Sequence, residues 1–294
     1  MFELRRLRLL HELSLRGTLA AVAEALSYSP STVSQQLAQL EKDAGVPLLI
    51  PDGRRVRLTA HGEMLAAHAA RALDLEDSVR GELEALRPGS APVRIAVMQS
   101  AAQSILAPAL TLLADRDPAI PVEVAELPPE EGLFELSARR FDLVVAEQYP
   151  GHTREHRAGL VRDMIGADPI RLATPHDERR DDLALLRDRP WVMEPEGTAA
   201  RRWAVQQCRA AGFEPDVRFE IADLTAHVRL IASGLAVGML PDLVWAGEAP
   251  RVRLADLPGR PSREIFTAVR ESSATRPALR AVRSALRDAF ASRV

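Results

Sequence analysis

Between Ser29 and Gln39 the sequence SPSTVSQQLAQ gathers hydroxyl and amide side chains with no charge among them: Ser29, Ser31, Thr32, Ser34, Gln35, Gln36 and Gln39. Glutamine can exchange two hydrogen bonds with the edge of adenine, and serine or threonine can reach either base type or a phosphate. Downstream, Arg54, Arg55 and Arg57 follow Asp52-Gly53 in VPLLIPDGRRVRLT. Arginines near the tip of a hairpin can enter a minor groove or hold phosphates. The chemistry on offer is recognition of duplex DNA, by base edges from one segment and by backbone from the other. A plain solvated helix is the competing reading of the first segment.

Other reactive residues are sparse. His152 and His156 have a spacing that could share a metal on a helix, but they follow Tyr149-Pro150-Gly151 and no third ligand is obvious. No metal or cofactor is expected. The single cysteine, Cys208, rules out an intrachain disulfide or a two-cysteine redox switch, and its place in a helical segment points to packing. Asp181-Asp182 and Glu130-Glu131 read as solvated pairs. The chain lacks a phosphate-cradling glycine loop, an H-E-x-x-H and a G-x-S-x-G, so no catalytic set is visible and an enzyme is not expected.

The elements that must hold the polar face follow from spacing. Leu4, Leu7, Leu10 and Leu13 recur at helical intervals before Gly17. Thr18 can cap a second helix, TLAAVAEAL; Ser29 can cap a third, with Pro30 in its first turn and Gly45 as its stop. In that third helix Val33, Leu37 and Leu40 share a buried face, which leaves the hydroxyls and amides outward. Two short helices joined by a tight turn fit a helix-turn-helix, and Asp52-Gly53 between two apolar runs fits a hairpin wing. Residues 1–62 carry eight basic and six acidic side chains, a net of +2, so affinity should lean less on counterion release than in strongly basic binders.

A chain of 294 residues with 47% hydrophobic and 27% charged residues and a formal charge of −3 is ordinary for a globular protein of about two domains. One lysine, Lys42, leaves 37 arginines, a bias best explained by base composition of the gene rather than by DNA binding. The N-terminus, MFELRRLRLLHELSLRG, is amphipathic rather than a signal peptide, and no run reaches membrane-spanning length. A cytoplasmic protein with no membrane partner is expected. Residues 59–86 predict one long helix in which Leu65, Ala72, Val79 and Leu86 recur every seven residues, widened by Leu75 and Leu83. That stripe suits pairing with a second copy, with packing onto its own domain as the alternative. Arg87 to Pro92 forms a hinge-like linker, after which VRIAVM, IPVEVAE, FDLVVAE, PIRLAT, PWVME, VRFEI and REIFTAVR alternate with helical stretches, the pattern of a largely parallel α/β sheet.

The N-terminal pattern resembles that of LysR-type transcriptional regulators. It is carried by Ser29, Ser34, Leu37, Leu40, Glu41, Gly45, Val46, Leu48, Leu49, Arg55, Val56, Arg57, Leu58, Thr59 and Gly62. Farther on, Asp142 with Leu-Val-Val and the segment from Ser233 to Pro241 match that family's effector-domain signatures. Gln35 and Ile50-Pro51 depart from the family by replacing basic residues at the DNA surface, which implies weaker or differently specified contacts. The resemblance implies a helical winged helix-turn-helix head (1–58), a linker helix and hinge (59–90), and a two-lobed, Rossmann-like α/β effector-binding domain (91–294). Lobe one would be 91–161 plus 265–294, and lobe two 162–264. It further implies double-stranded DNA, a second copy or a dimer of dimers, and a small-molecule effector between the lobes as partners, with RNA polymerase a further candidate. Ligands in such folds bind beyond the carboxyl ends of strands, which nominates Gln99, Ser100, Ala101, Glu147, Gln148, Gly197 and Thr198. Ser100 and Thr198 could hold an anionic effector at helix N-termini, or could be plain helix caps. Three alternatives stand beside this reading: a closed cleft with no effector, a solute-binding protein, and an enzyme on the same scaffold.

Overall fold

A computed structural model describes residues 1–53, 55–86, 92–152 and 157–292, Arg55 by its backbone alone. The head is built from α1 (Leu4–Arg16), α2 (Leu19–Ala25) and α3 (Pro30–Ala44). The Thr18 hydroxyl accepts from the Ala21 N–H at 3.2 Å, and the Ser29 hydroxyl accepts from the Thr32 N–H at 3.1 Å. These caps start α2 and α3 where their side chains predict. Gly45 ends α3 at φ 69°, a backbone conformation that side chains disfavour. Leu7, Leu10 and Leu13 of α1 meet Val22 of α2 and Val33, Leu37 and Leu40 of α3 in one core.

Strands β1 (Leu49–Asp52) and β2 (Arg55–Leu58) pair antiparallel, with Asp52 opposite Arg55. The long helix α4 (Ala60–Leu86) follows at once. Its 27 residues make it about 40 Å long. The Thr59 hydroxyl caps it, accepting from the Gly62 N–H at 3.0 Å and donating to the Pro47 carbonyl at 2.8 Å. Gly62 is required there because a Cβ would collide with the Leu48 carbonyl oxygen. The first half of α4 lies on α1, and Leu65, Ala66, Ala69 and Ala72 join the head core. Leu65 and Ala72, expected at an intermolecular seam, therefore face inward. Leu75, Val79, Leu83 and Leu86 stay outside, at 67%, 45%, 61% and 84% exposure.

Lobe one contains β3 (Val93–Val97), α5 (Gln99–Ala101), a π-helical turn (Ala102–Leu106), α6 (Ala107–Arg116), β4 (Val122–Glu126), α7 (Pro129–Ser137) and β5 (Leu143–Gln148). Strand β6 (Leu160–Thr174) leaves it for lobe two. There β7 (Pro190–Met193), α8 (Ala199–Ala210), β8 (Asp216–Glu220), α9 (Leu224–Ala232), β9 (Gly238–Pro241) and β10 (Arg253–Asp256) follow. Strand β11 (Ser262–Arg270) returns, and α10 (Pro277–Ala291) packs on lobe one. Successive residues of β5 alternate between two cores, Leu143 and Val145 on one face and Val144 and Ala146 on the other.

The sheet is mixed rather than largely parallel. Among the described residues β3 runs parallel to β4 and β5 while β6, β9, β10 and β11 pair antiparallel, and β7 and β8 form a separate parallel pair. The physical reason is the double crossover: one strand must leave lobe one and another return beside it. Strand β6 accordingly begins at Leu160, well before the expected Pro169. The pairing of β6 with β11 carries a bulge between Ile265 and Phe266, and Ile265 faces Gly166. A Cβ at Gly166 would run into the Phe290 ring of α10.

Candidate functional site: nucleic-acid face and interlobe cleft

On α3 the structure separates the polar residues into two groups. Ser31, Ser34 and Gln35 are exposed, and Thr32, Gln36 and Gln39 are half-buried. The Ser29 hydroxyl lies 2.8 Å from both the Ser31 and Thr32 hydroxyls, a cluster at the helix start. Arg6 of α1 donates to the Gln36 amide oxygen at 3.2 Å and to Asp43 at 2.6 Å, and the Gln39 amide donates to Asp43 at 2.9 Å. Gln36 and Gln39 are thus tied toward α1, which leaves Ser34 and Gln35 as the outermost polar side chains in the middle of the helix. Arg57 is exposed on β2, opposite Ile50. Arg54 and the Arg55 side chain lie outside the described residues.

The start of β1 is held to α3 by one carboxylate. The Glu41 Oε1 accepts from the Leu48 N–H at 2.8 Å and the Leu49 N–H at 3.0 Å. Glu41 therefore fixes the start of β1 relative to the end of α3.

Contacts of long sequence separation bind head, α4 and lobe one together. Arg16 of α1 donates to both Glu135 oxygens of α7, at 2.9 and 2.8 Å, and its Nε donates to Glu12 at 2.8 Å. Its guanidinium lies 5.3 Å from the Phe134 ring centre. Burial pushes the Glu12 carboxyl up, with Arg16 opposing. Lobe one then holds the second half of α4 through three arginines. Arg139 pairs with Asp74 and Asp77, Arg270 donates to Asp77 at 2.8 Å, and Arg276 to Glu84 at 2.7 Å. Asp142 accepts from the Arg94 N–H at 3.0 Å and approaches Arg270 within 3.4 Å.

Between the lobes lies a cavity of about 520 Å³, beyond the ends of β3, β5 and β7. Of the residues nominated from the sequence, Gln99, Ser100, Glu147 and Thr198 line it. Ala101 does not: it is buried in the lobe-one core. Gln148 and Gly197 also lie off its lining. Sequence reasoning missed Glu126, Glu130, Glu194, Asp223, Leu224 and Arg263. In a chain with 37 arginines nothing marked Arg263. Its side chain is 2% exposed, donates to Asp168 at 2.9 Å and to the Ser100 hydroxyl at 2.6 Å, and lies 3.5 Å from Glu147. The Thr198 hydroxyl accepts from the Arg201 N–H at 3.1 Å and donates to the Pro195 carbonyl at 2.9 Å, the bonding of a helix cap. Gln99 bridges the lobes: its amide nitrogen donates to Asp223 at 3.1 Å and its oxygen accepts from the Leu224 N–H at 3.0 Å.

Cys208 is fully buried beside Trp203, and burial pushes its thiol up to about 12. Residues 153–156, and with them the partner of His152 in the possible metal pair, lie outside the described residues. No group of metal-ligating side chains occurs among the described residues, nor any helix long and apolar enough to cross a membrane.

Comparison with known proteins agrees with this geometry. The family described as "LysR substrate binding domain" matches residues 87–291, and "Bacterial regulatory helix-turn-helix protein, lysR family" matches residues 4–63. The chain is 30% identical over 267 residues to a probable hydrogen peroxide-inducible genes activator of Mycobacterium avium, spanning 86% of this chain and 83% of that protein. It is 26% identical over 255 residues to the transcriptional dual regulator GltC of Bacillus subtilis, spanning 85% and 84%. Among solved structures, a cysteine-to-aspartate variant of full-length OxyR from Pseudomonas aeruginosa superposes with a TM-score of 0.68 at 21% identity, covering 98% of this chain and 95% of that one. Full-length CbnR complexed with its target DNA gives a TM-score of 0.55 at 22% identity, covering 98% and 100%. With a helix-turn-helix head and a substrate-binding domain that together account for nearly its whole length, the chain belongs to the LysR family of bacterial transcription regulators.

Proposed function

We propose that this regulator reads its operator through Ser34 and Gln35 of α3, grips the flanking backbone with the wing, and is controlled by a small molecule in the cleft between its lobes. The observation that carries this reading is the outward, uncharged face of α3 set beside a wing that Glu41 holds in register. Ser31 and Thr32 sit at the helix start, where hydroxyls reach phosphates or bases. The exposed run Leu75, Val79, Leu83 and Leu86 supports self-association along the second half of α4. A two-fold dimer of this kind presents two α3 helices to two half-sites. The Arg16, Arg139, Arg270 and Arg276 pairs supply a continuous set of contacts by which a change between the lobes reaches the head.

Two of the similar proteins carry names tied to hydrogen peroxide or OxyR. A disulfide sensor is disfavoured for this chain, because its single cysteine is buried and its thiol is held protonated. A cavity of about 520 Å³ supports effector control over a closed, ligand-free cleft.

Binding of the full chain to its own upstream DNA and to a scrambled duplex, titrated with salt, tests the reading. Gln35→Ala should lose about 1–3 kcal/mol of preference for the specific duplex. Arg57→Ala should weaken both duplexes and reduce the salt slope by about 1. Equal losses of both variants on the scrambled duplex would refute the division of labour.

A further inference from the structure

The cleft is acidic, and its arginine is already committed. Among the described residues lining it, Arg263 is the one cation, against Glu126, Glu130, Glu147, Glu194 and Asp223. Arg263 cannot serve as an anion receptor without giving up Asp168, Ser100 and Glu147, which surround its buried guanidinium. Glu194 is half-buried, whereas Glu126, Glu130 and Asp223 are exposed and Glu147 lies 3.5 Å from Arg263. No hydrogen bond reaches the Glu194 carboxyl among the described residues, whereas Asp223 accepts from Gln99 and caps α9.

Behind the main chamber Glu194 also lines a small pocket of about 20 Å³, with Tyr149, Trp203, Leu224 and His227 around it. The Tyr149 and Trp203 rings are 5.6 Å apart and tilted by 40°. A space of this size admits one water-sized group. Aromatic faces beside a carboxylate attract a cation and repel an anion. His227 adds no positive charge, because burial holds its imidazole low; its Nε2 sits 2.7 Å from the Ile221 carbonyl. The larger chamber in front offers Met98, Leu127, Pro128 and Pro195, an apolar wall for the body of a ligand.

Given that this cleft is the effector site, we infer that its effector is a primary amine, whose ammonium seats against Glu194 beside the Tyr149–Trp203 pair and whose apolar body fills the outer chamber. A quaternary ammonium is too large for the inner pocket. Burial, together with Glu147 on β5 and Glu130 on α7, pushes the Glu194 carboxyl up to about 7, with Arg263 on β11 opposing. An ammonium therefore displaces a proton from Glu194, and its affinity rises as pH increases through 7 and then levels. A carboxylate ligand would do the reverse and take up a proton.

Calorimetry of the full chain with isobutylamine, isobutyrate and isobutyramide, which share one carbon skeleton, tests the inference. Titrations are run in two buffers of different ionisation enthalpy, neither an amine, to count protons, on wild type, Glu194→Gln and Ala200→Trp. Ala200 lines both chambers, and retained DNA binding reports that each variant is folded. The expected result is binding of isobutylamine with proton release, about tenfold weaker in Glu194→Gln and blocked in Ala200→Trp. Tighter binding of isobutyrate or isobutyramide, blocked in Ala200→Trp, would overturn the cationic effector and leave the cleft as the effector site. Absence of binding by all three, or binding that survives Ala200→Trp, would overturn both.

Discussion

Replacement of Glu41 by alanine should loosen the wing while leaving the rest of the chain folded. One oxygen of this carboxylate receives both the Leu48 and Leu49 N–H groups, at 2.8 and 3.0 Å. Hydrogen bonds to a charged acceptor contribute about 1.5–3 kcal/mol each. Glu41 is half-buried, so water can partly replace it, and a combined loss of about 2–3 kcal/mol is the reasoned figure. At 1.4 kcal/mol per factor of ten, that loss corresponds to amide exchange in β1 faster by about 30- to 150-fold. Hydrogen exchange read by mass spectrometry on the full chain resolves this region from the effector domain, with α10 as internal reference. Glu41→Gln keeps an oxygen in place without the charge, and should show about half the free-energy loss. Exchange in β1 within about twofold of wild type would show that water suffices. Equal acceleration in α10 would show that Glu41 supports the whole fold rather than the wing. Either result refutes the assignment.

Other consequences can be checked as directly. Gly62→Ala forces a Cβ against the Leu48 carbonyl, a backbone atom that cannot swing away; the expected cost is about 1–3 kcal/mol in the docking of α4 on the head, read as faster exchange in α1 and α4. Burial, then Arg139 and Arg8, lowers His11 to about 4, with Asp74 opposing. A histidine held neutral stabilises the fold fully above 6.5, and that contribution drains away as pH falls from 6.5 toward 4, by at most about 1.4 kcal/mol per unit. Acid unfolding followed at α1 should be flatter in His11→Gln; an unchanged profile would count against it. Cys208 should resist thiol reagents in the native chain and react on unfolding, and Cys208→Ser should leave DNA binding in the presence of peroxide unchanged.

The sequence disclosed the head because its signals are local. Thr18, Ser29, Pro30 and Gly45 each act within a turn of the chain, and the structure uses each where its chemistry predicts. The strands β3, β5 and β11 were legible for a related reason, since a buried strand advertises itself by an apolar run. Strand β6 was only half legible. Its first part, LVRDMIGAD, alternates charges with apolar residues and becomes a strand because β11 returns beside it. Periodicity found the apolar residues of α4 but not their allegiance: the helix is apolar on two sides, one taken by the head and one left open. The cleft was the least legible part. Arg263 meets partners from β3's end, β5 and β6, and Arg16 meets Glu135 across 119 residues, relations that no local pattern encodes.

The two strands that join the lobes also determine how the cleft can move. Strands β6 and β11 are hydrogen-bonded along the passage from one lobe to the other, so the lobes cannot slide past each other without breaking that ladder. They can flex, as a leaf spring does, at the one place where the ladder is irregular, the bulge at which β6 carries Ile165 as an extra residue against Ile265 and Phe266. On one side of that flexure the Phe290 ring fills the space a side chain at Gly166 would occupy. Helix α10 thus packs directly against the flexure. Bending at the bulge must therefore either carry α10 along or repack that ring, a contact outside the lining of the cleft.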